Sequence, residues 1–420
     1  MKIGCHDQQK SGGGKIMRKN VCFLVSEHPF LDARIFKKEA KSLVKLGYQV
    51  TMIVPRRNGY LFDVDGKIFR ETFRKEQFIH EGITIITYEQ IDFEKQLKNL
   101  YTNLRTGKSD RFTDQLTQLG LAQKADIYHA HEFYSLYAGV GIKRALQGMG
   151  KEVKLIYDSH ELDPDPYQNQ AIRMKKIKLQ SLKFMLIETD LVITVSESIK
   201  SSFQSMNSKL PVEVIYNTPR LSAESTPGQG KNKGLTLVYE GVLNETRGSF
   251  HKLMKITEMC NERFPLHIII VGGNKRSETP LAIPAHLKDK IKQTGWVEYE
   301  SLSETMKGAD LGWVDLDAKN SLNNRFAMPN KFFSYLNNGL PVLANQCTDM
   351  EAFIHKYNCG YIVKGLQATA EDYVQTLQFL HSNRNEILEK SLVARKVMET
   401  QFSWEHMEKR LQTIYQRLTD

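Results

Sequence analysis

Residues 323–342 read Asn323-Asn324-Arg325-Phe326-Ala327-Met328-Pro329-Asn330-Lys331-Phe332-Phe333-Ser334-Tyr335-Leu336-Asn337-Asn338-Gly339-Leu340-Pro341-Val342. Pro329 is placed to open a helix, where its missing N–H costs nothing. Gly339 closes that helix, and Leu340-Pro341-Val342 starts a strand. Asn330 and Lys331 fall in the first helical turn. A lysine there opposes the helix dipole, so the pattern points to a bound anion that it answers. A short helix leading straight into an apolar strand is the unit from which parallel α/β sheets are built.

The same alternation extends in both directions. Strands are expected at Leu235–Tyr239, Leu266–Val271, Leu311–Val314, Pro341–Ala344 and Tyr361–Val363 in the second half. In the first half they are expected at Val21–Val25, Val50–Val54, Ile83–Thr87, Asp126–Ala130, Val153–Tyr157, Leu191–Val195 and Val212–Tyr216. Helical periodicity fills the gaps, most clearly from Ala33 to Leu46, closed by Gly47. Between the halves, Pro219 to Gly234 has the Pro, Gly, Ser and Lys content of a linker. The expected fold is therefore α/β, with two doubly wound Rossmann-like domains facing across a cleft. The boundaries are a flexible extension at 1–17, a first domain at 18–220, a linker at 221–234, a second domain at 235–398, and a last helix at 399–420. Residues Asn58 to Gln123, rich in aromatic side chains, suggest no function.

A chain of 420 residues exceeds what one core usually serves, which agrees with two domains. Apolar residues at 41% and charged ones at 25% are ordinary for a globular protein. The five cysteines are dispersed without CxxC spacing, so neither a disulfide framework nor a zinc site is expected, and a reducing, cytoplasmic setting fits. The net charge of +10 is spread along the chain and not interleaved with stacking aromatics, which argues against nucleic acid as a partner. Its densest run, Arg173, Lys175, Lys176, Lys178 and Lys183, reads as a solvated helix face or as a patch for anionic membrane.

Ligands of such sheets sit outside the carboxyl ends of the strands, so those ends hold the candidate residues. Tyr239 is followed by Glu240-Gly241-Val242-Leu243-Asn244-Glu245-Thr246-Arg247-Gly248. Gly241 and Gly248 permit close backbone approach to an anion, and Arg247 could grip a diphosphate. In the first half, Asp126-Ile127-Tyr128-His129-Ala130-His131-Glu132 ends a strand, and Tyr157-Asp158-Ser159-His160-Glu161 ends the next. One histidine of the first pair is expected to turn into the sheet and the other, His131, towards the cleft. No third ligand accompanies His129 and His131 in sequence, so no metal is expected there. Asp315-Leu316-Asp317 imitates a D-x-D metal clamp, but so short a pattern is cheap.

Taken in order, these segments resemble the family-four glycosyltransferases, retaining enzymes of the GT-B fold. The resemblance extends from Val21 onward through His28-Pro29-Phe30-Leu31-Asp32-Ala33-Arg34, His129-Ala130-His131-Glu132, Val195-Ser196-Glu197-Ser198, Ile215-Tyr216-Asn217, Ile270-Val271-Gly272-Gly273 and the 328–342 segment, to Phe402-Ser403-Trp404. It implies that Arg247 and Lys331 hold the donor diphosphate, that His131 touches the transferred sugar, and that backbone around Phe326, Ala327 and Met328 lies beside that sugar. Relatives often carry two carboxylates where this chain has Phe326 and Ser334; the one missing at Ser334 normally grips the ribose. The Arg that often follows the strand-end glycine is Val242 here.

The function expected is transfer of a hexose-type unit from a nucleoside diphosphate sugar, with retention, to a glycan or lipid-linked acceptor, without a cofactor or metal. The rivals are a nucleotide-sugar 2-epimerase using Glu132 and Glu161, and a degenerate sugar-nucleotide-binding protein. A dehydrogenase is disfavoured, because Ser26-Glu27-His28 follows the first strand where G-x-G-x-x-G would be needed.

Overall fold

The computed structural model describes residues 19–167, 170–222, 234–244, 248–275, 281–298 and 301–419. The first domain is built on β1 (Asn20–Val25), β2 (Gln49–Arg56), β3 (Gln77–His80), β4 (Ile83–Glu89), β5 (Ile127–His131), β6 (Lys154–Ser159), β7 (Leu191–Thr194) and β8 (Val212–Val214). They form one sheet in the order β3-β4-β2-β1-β5-β6-β7-β8, parallel throughout except for β3. The second sheet comprises β9 (Leu235–Val242), β10 (Leu266–Gly273), β11 (Ile291–Gly295), β12 (Leu311–Val314), β13 (Val342–Asn345) and β14 (Gly360–Val363), in the order β11-β10-β9-β12-β13-β14. Central strands β1 and β5 are buried on both faces; β1 accordingly reads as an unbroken apolar run from Val21 to Val25, whereas β5 buries two histidines.

Two strands lie outside the sequence expectation, and both are edges. β3 is the antiparallel edge inside the illegible 58–123 segment, with no residue of its four fully buried. β11 has the sequence Ile-Lys-Gln-Thr-Gly, of which only Ile291 is buried. Neither offers the two-sided apolar signal of a central strand. The helical stretch after β1 begins with π-type turns at Ile35–Ala40 and continues as α-helix over Lys41–Lys45, with Gly47 at φ 93° behind it. The extension at 1–17 and most of the linker, 223–233, lie outside the described residues.

The last helix, Trp404–Thr419, packs against the first domain. Trp404 Nε1 donates to Ser42 Oγ at 3.1 Å, and the Tyr415 hydroxyl pairs with His129 Nδ1 at 2.8 Å. Cys22, Cys260, Cys347 and Cys359 are all buried and unpaired.

Candidate active site

A cleft of about 2010 Å³ opens between the two sheets, lined by their strand ends and the turns that follow. On the second-domain wall, the last but one residue of β9 is Gly241 at φ 105°, a conformation that disfavours any side chain. A Cβ at Gly241 would stand 3.8 Å from Lys331 Nζ, so the missing side chain leaves the lysine room against the backbone. Lys331 Nζ lies 3.8 Å from the centroid of the Tyr239 ring, whose face holds a cation well. The helix Asn330–Asn337 begins just behind, with Pro329 as its N-cap residue. Gly248 is fixed by crowding: a Cβ there would fall 2.2 Å from the Tyr239 hydroxyl. Lysine, glycine turn and helix start thus converge on one spot suited to an anion.

Asp315 and Asp317 do not form a clamp. Asp315 is buried and accepts from Ser249 Oγ and Lys252 Nζ, each at 2.8 Å, and from the Tyr373 hydroxyl at 2.9 Å. Asp317 accepts from Asn320 and Gln367. Asp315 steadies the turn that carries Gly248, and its oxygens are committed to that task.

The first-domain wall corrects the expectation for the two histidines. Residues two apart in a strand share a face. His129 and His131 accordingly stack, with ring centroids 4.4 Å apart, and both are fully buried. His131 Nδ1 lies 3.3 Å from His160 Nε2 and 3.5 Å from Asp158 Oδ2. Burial, with the neighbouring His129, holds His131 neutral, well below its ordinary range. His28 and His160 line the cleft in its place.

Around them sits a charged cluster. His28 Nε2 is 3.6 Å from Glu132 Oε1, and His28 Nδ1 is 3.7 Å from Asp32 Oδ2. His160 Nδ1 is also 3.6 Å from Glu132. Burial works against a charge on His28, but Glu132 and Asp32 raise it to about 9. Burial lifts Glu132 to about 7, opposed by His28. Burial lowers His160 to about 4. Glu132 has φ 71°, an uncommon conformation for a side-chain-bearing residue. Sequence reading missed His28, Asp32 and His160 as one group. The available signal was that the strands expected at Val21–Val25, Asp126–Ala130 and Val153–Tyr157 are each followed within three residues by a histidine.

The expectation that the histidines lack a third metal ligand also needs correction. His28, Glu132 and His160 bring three possible ligand atoms within 4.8 Å of one another, as do Glu39, His129, His131 and Asp158. The second group already encloses a cation, because Arg34 donates to Asp158 at 2.8 and 3.0 Å. The first could hold an ion once His28 released its proton.

Of the other expected residues, Ala327, Met328, Asn330, Lys331 and Ser334 line the cleft with Gly241 and Gly248. Phe326 does not; it packs towards the first-domain core. The short helix Leu322–Phe326 is held from the opposite domain by Asp165, which accepts from Ser321 Oγ at 2.7 Å and from the Leu322 and Asn323 amides at 3.1 Å. Arg247 lies outside the described residues.

Two parallel-sheet α/β domains with a cleft between their strand ends define the GT-B glycosyltransferase fold, and solved structures agree. Sucrose-phosphate synthase from Thermosynechococcus elongatus superposes with a TM-score of 0.68 at 14% identity, covering 96% of this chain and 99% of that one. Anabaena HepE in complex with UDP-glucose gives 0.65 at 12% identity, covering 95% and 100%. A glycosyltransferase from Rickettsia africae gives 0.62 at 14%, covering 96% and 99%. No curated protein matches in sequence. Residues 33–218, within the first domain, match the family model described as Glycosyltransferase Family 4.

Proposed function

We propose that the protein transfers a hexose-type sugar from a nucleoside diphosphate sugar to a glycan or lipid-linked acceptor, with retention of configuration. The observation that carries this reading is the placement of Lys331 on the Tyr239 ring beside the glycine turn at the end of β9. Departure of a nucleoside diphosphate requires its growing charge to be neutralised, and fixed donors in a cleft do this without reorganisation. Lys331, the start of its helix with Asn330, and Arg247 supply that neutralisation. The sugar lies by Ala327 and Met328 and faces the first-domain wall, where His160 touches it and the buried His131 supports His160 from behind. The structural relatives that hold UDP and UDP-glucose support a nucleotide-sugar donor.

Among the described residues no helix is long and apolar enough to cross a membrane. The helix Ile172–Glu188 supports contact with anionic lipid on a smaller footing than its sequence implies. Lys178 pairs with Asp163 at 2.9 Å and Lys175 donates to the Pro166 carbonyl, so both are engaged internally. Arg173, Lys176 and Lys183 remain exposed beside Ile172 and Ile187, which are 83% and 74% exposed.

The test is incubation with a panel of nucleotide sugars and glycan or lipid-linked acceptors, with and without EDTA, reading nucleoside diphosphate release and the anomeric configuration of the product. A product with inverted configuration removes retention. An epimerised nucleotide sugar, or binding without turnover, replaces transfer with one of the rival readings.

A further inference from the structure

We propose that Glu240 grips the ribose hydroxyls of the donor nucleotide, an inference that rests on reading the cleft as a nucleotide-sugar site. Glu240 precedes Gly241 at the end of β9 and lines the cleft. Its backbone is pinned: the amide donates to the Tyr335 hydroxyl at 2.9 Å, and that hydroxyl in turn lies 3.3 Å from the Trp313 carbonyl oxygen. Its carboxyl is only partly engaged, by the Ser334 hydroxyl. Oε2 is buried and has no hydrogen-bond partner among the described residues. A buried carboxylate oxygen left unpaired is costly, and a ligand that donates to it recovers the loss.

The neighbours of Glu240 define what that ligand group is. Burial raises its carboxyl, and the Ser334 hydroxyl and the Lys331 charge draw it back down. A carboxylate beside a diphosphate-binding lysine repels phosphate, so it must face a neutral part of the ligand that donates hydrogen bonds. A vicinal diol is such a part, and an acidic residue on ribose hydroxyls is a recurrent solution in nucleotide-binding α/β sheets.

Order along the chain separates ribose from the transferred sugar. Met328 precedes the helix, Lys331 is in its first turn, and Ser334 lies one turn further, roughly 4.5 Å along the axis at 1.5 Å per residue. Sugar at Met328, diphosphate at Lys331 and ribose at Ser334 is the linear order of a nucleotide sugar. Ser334 is 8% exposed and too short to hold a diol by itself. Glu240 brings a carboxylate to the same place from the adjoining strand.

Calorimetric titration of UDP, GDP and ADP, each beside its 2′-deoxy counterpart, into the wild-type protein, Glu240→Gln and Glu240→Ala tests the assignment. The wild type should prefer the ribonucleotide that it binds by about tenfold or more, as expected for a lost hydrogen bond to a charged group. Both variants should bind ribo- and deoxy-forms within about twofold of each other, while melting within a few degrees of the wild type. Variants that keep the wild-type preference overturn the Glu240 assignment and leave the nucleotide site standing. Failure of every nucleoside diphosphate to bind the wild type overturns both.

Discussion

Arg34 and Asp158 are joined by two side-by-side hydrogen bonds, Nε to Oδ2 at 3.0 Å and Nη2 to Oδ1 at 2.8 Å, directly beneath the first-domain wall of the cleft. Both are almost wholly buried, and Arg34 Nη1 also donates to the Ile215 carbonyl at 2.8 Å. Glu39 Oε1 comes within 3.0 Å of Arg34 Nε without a hydrogen-bonding angle, because that N–H is spent on Asp158. Burial accordingly keeps the Glu39 carboxyl well above the usual range, whereas the Arg34 charge outweighs burial at Asp158 and holds it well below. The pair anchors the region from which His131 and His160 project.

Arg34→Met should therefore destabilise the protein by about 3–5 kcal/mol, the cost of stranding a buried carboxylate. Urea denaturation measures it. A loss under 1 kcal/mol would mean that Asp158 is neutral in the fold.

Stability should fall on the alkaline side because of His28. Its folded value of about 9 exceeds the ordinary 6.5, so its contribution is complete below pH 6.5 and disappears as pH rises through 9. On the acid side two effects oppose. Raised Glu132 loses its contribution as pH rises from 4.5 to about 7, and lowered His160 loses its own as pH falls from 6.5 to about 4. The melting temperature should decline between pH 7 and 9 in the wild type and be flatter in His28→Asn. Identical slopes would contradict the pairing of His28 with Glu132 and Asp32.

His131→Ala and His160→Ala should both lower turnover strongly while nucleoside diphosphate affinity stays near wild type, since both lie in the domain opposite Lys331. Steady-state kinetics alongside calorimetry separates the two quantities. An unchanged turnover in His160→Ala would remove the first-domain wall from the chemistry.

Ser334→Glu would, on the family resemblance alone, restore a grip on the ribose. With Glu240 already beside it, the substitution instead sets two carboxylates together, and like charges in one site oppose each other. Nucleotide binding should weaken in Ser334→Glu and recover in the double variant Ser334→Glu, Glu240→Ser. Tighter binding by the single variant would show that the two side chains do not share a site.

With three exposed cations at roughly 1 kcal/mol each, binding of the 172–188 helix to anionic vesicles should be detectable at low salt only. Sedimentation with phosphatidylserine vesicles should fall as salt rises, and fall further when Arg173, Lys176 and Lys183 become Gln. Salt-independent binding would point to the apolar residues alone.

The central strands and the helix at 330–337 were legible because burial on both faces, or a proline and a glycine at the two ends, leaves a mark in local sequence. β3 and β11 left none, since an edge strand needs no apolar face. The error over His129 and His131 was one of geometry, because period two places both on the same side. Glu240 and the His28–Glu132–His160 group could not be read locally. They meet only where separate strands end side by side, and that adjacency belongs to the sheet order.

The central claim is that the spot beside Lys331 takes the diphosphate of a donor nucleotide, and calorimetry on the wild type beside Lys331→Ala tests it most directly. At least one nucleoside diphosphate should bind the wild type with 1:1 stoichiometry, and Lys331→Ala should weaken it by about 1.5–3 kcal/mol, the usual worth of a hydrogen bond to a charged group. Equal affinity in the two proteins would contradict the account.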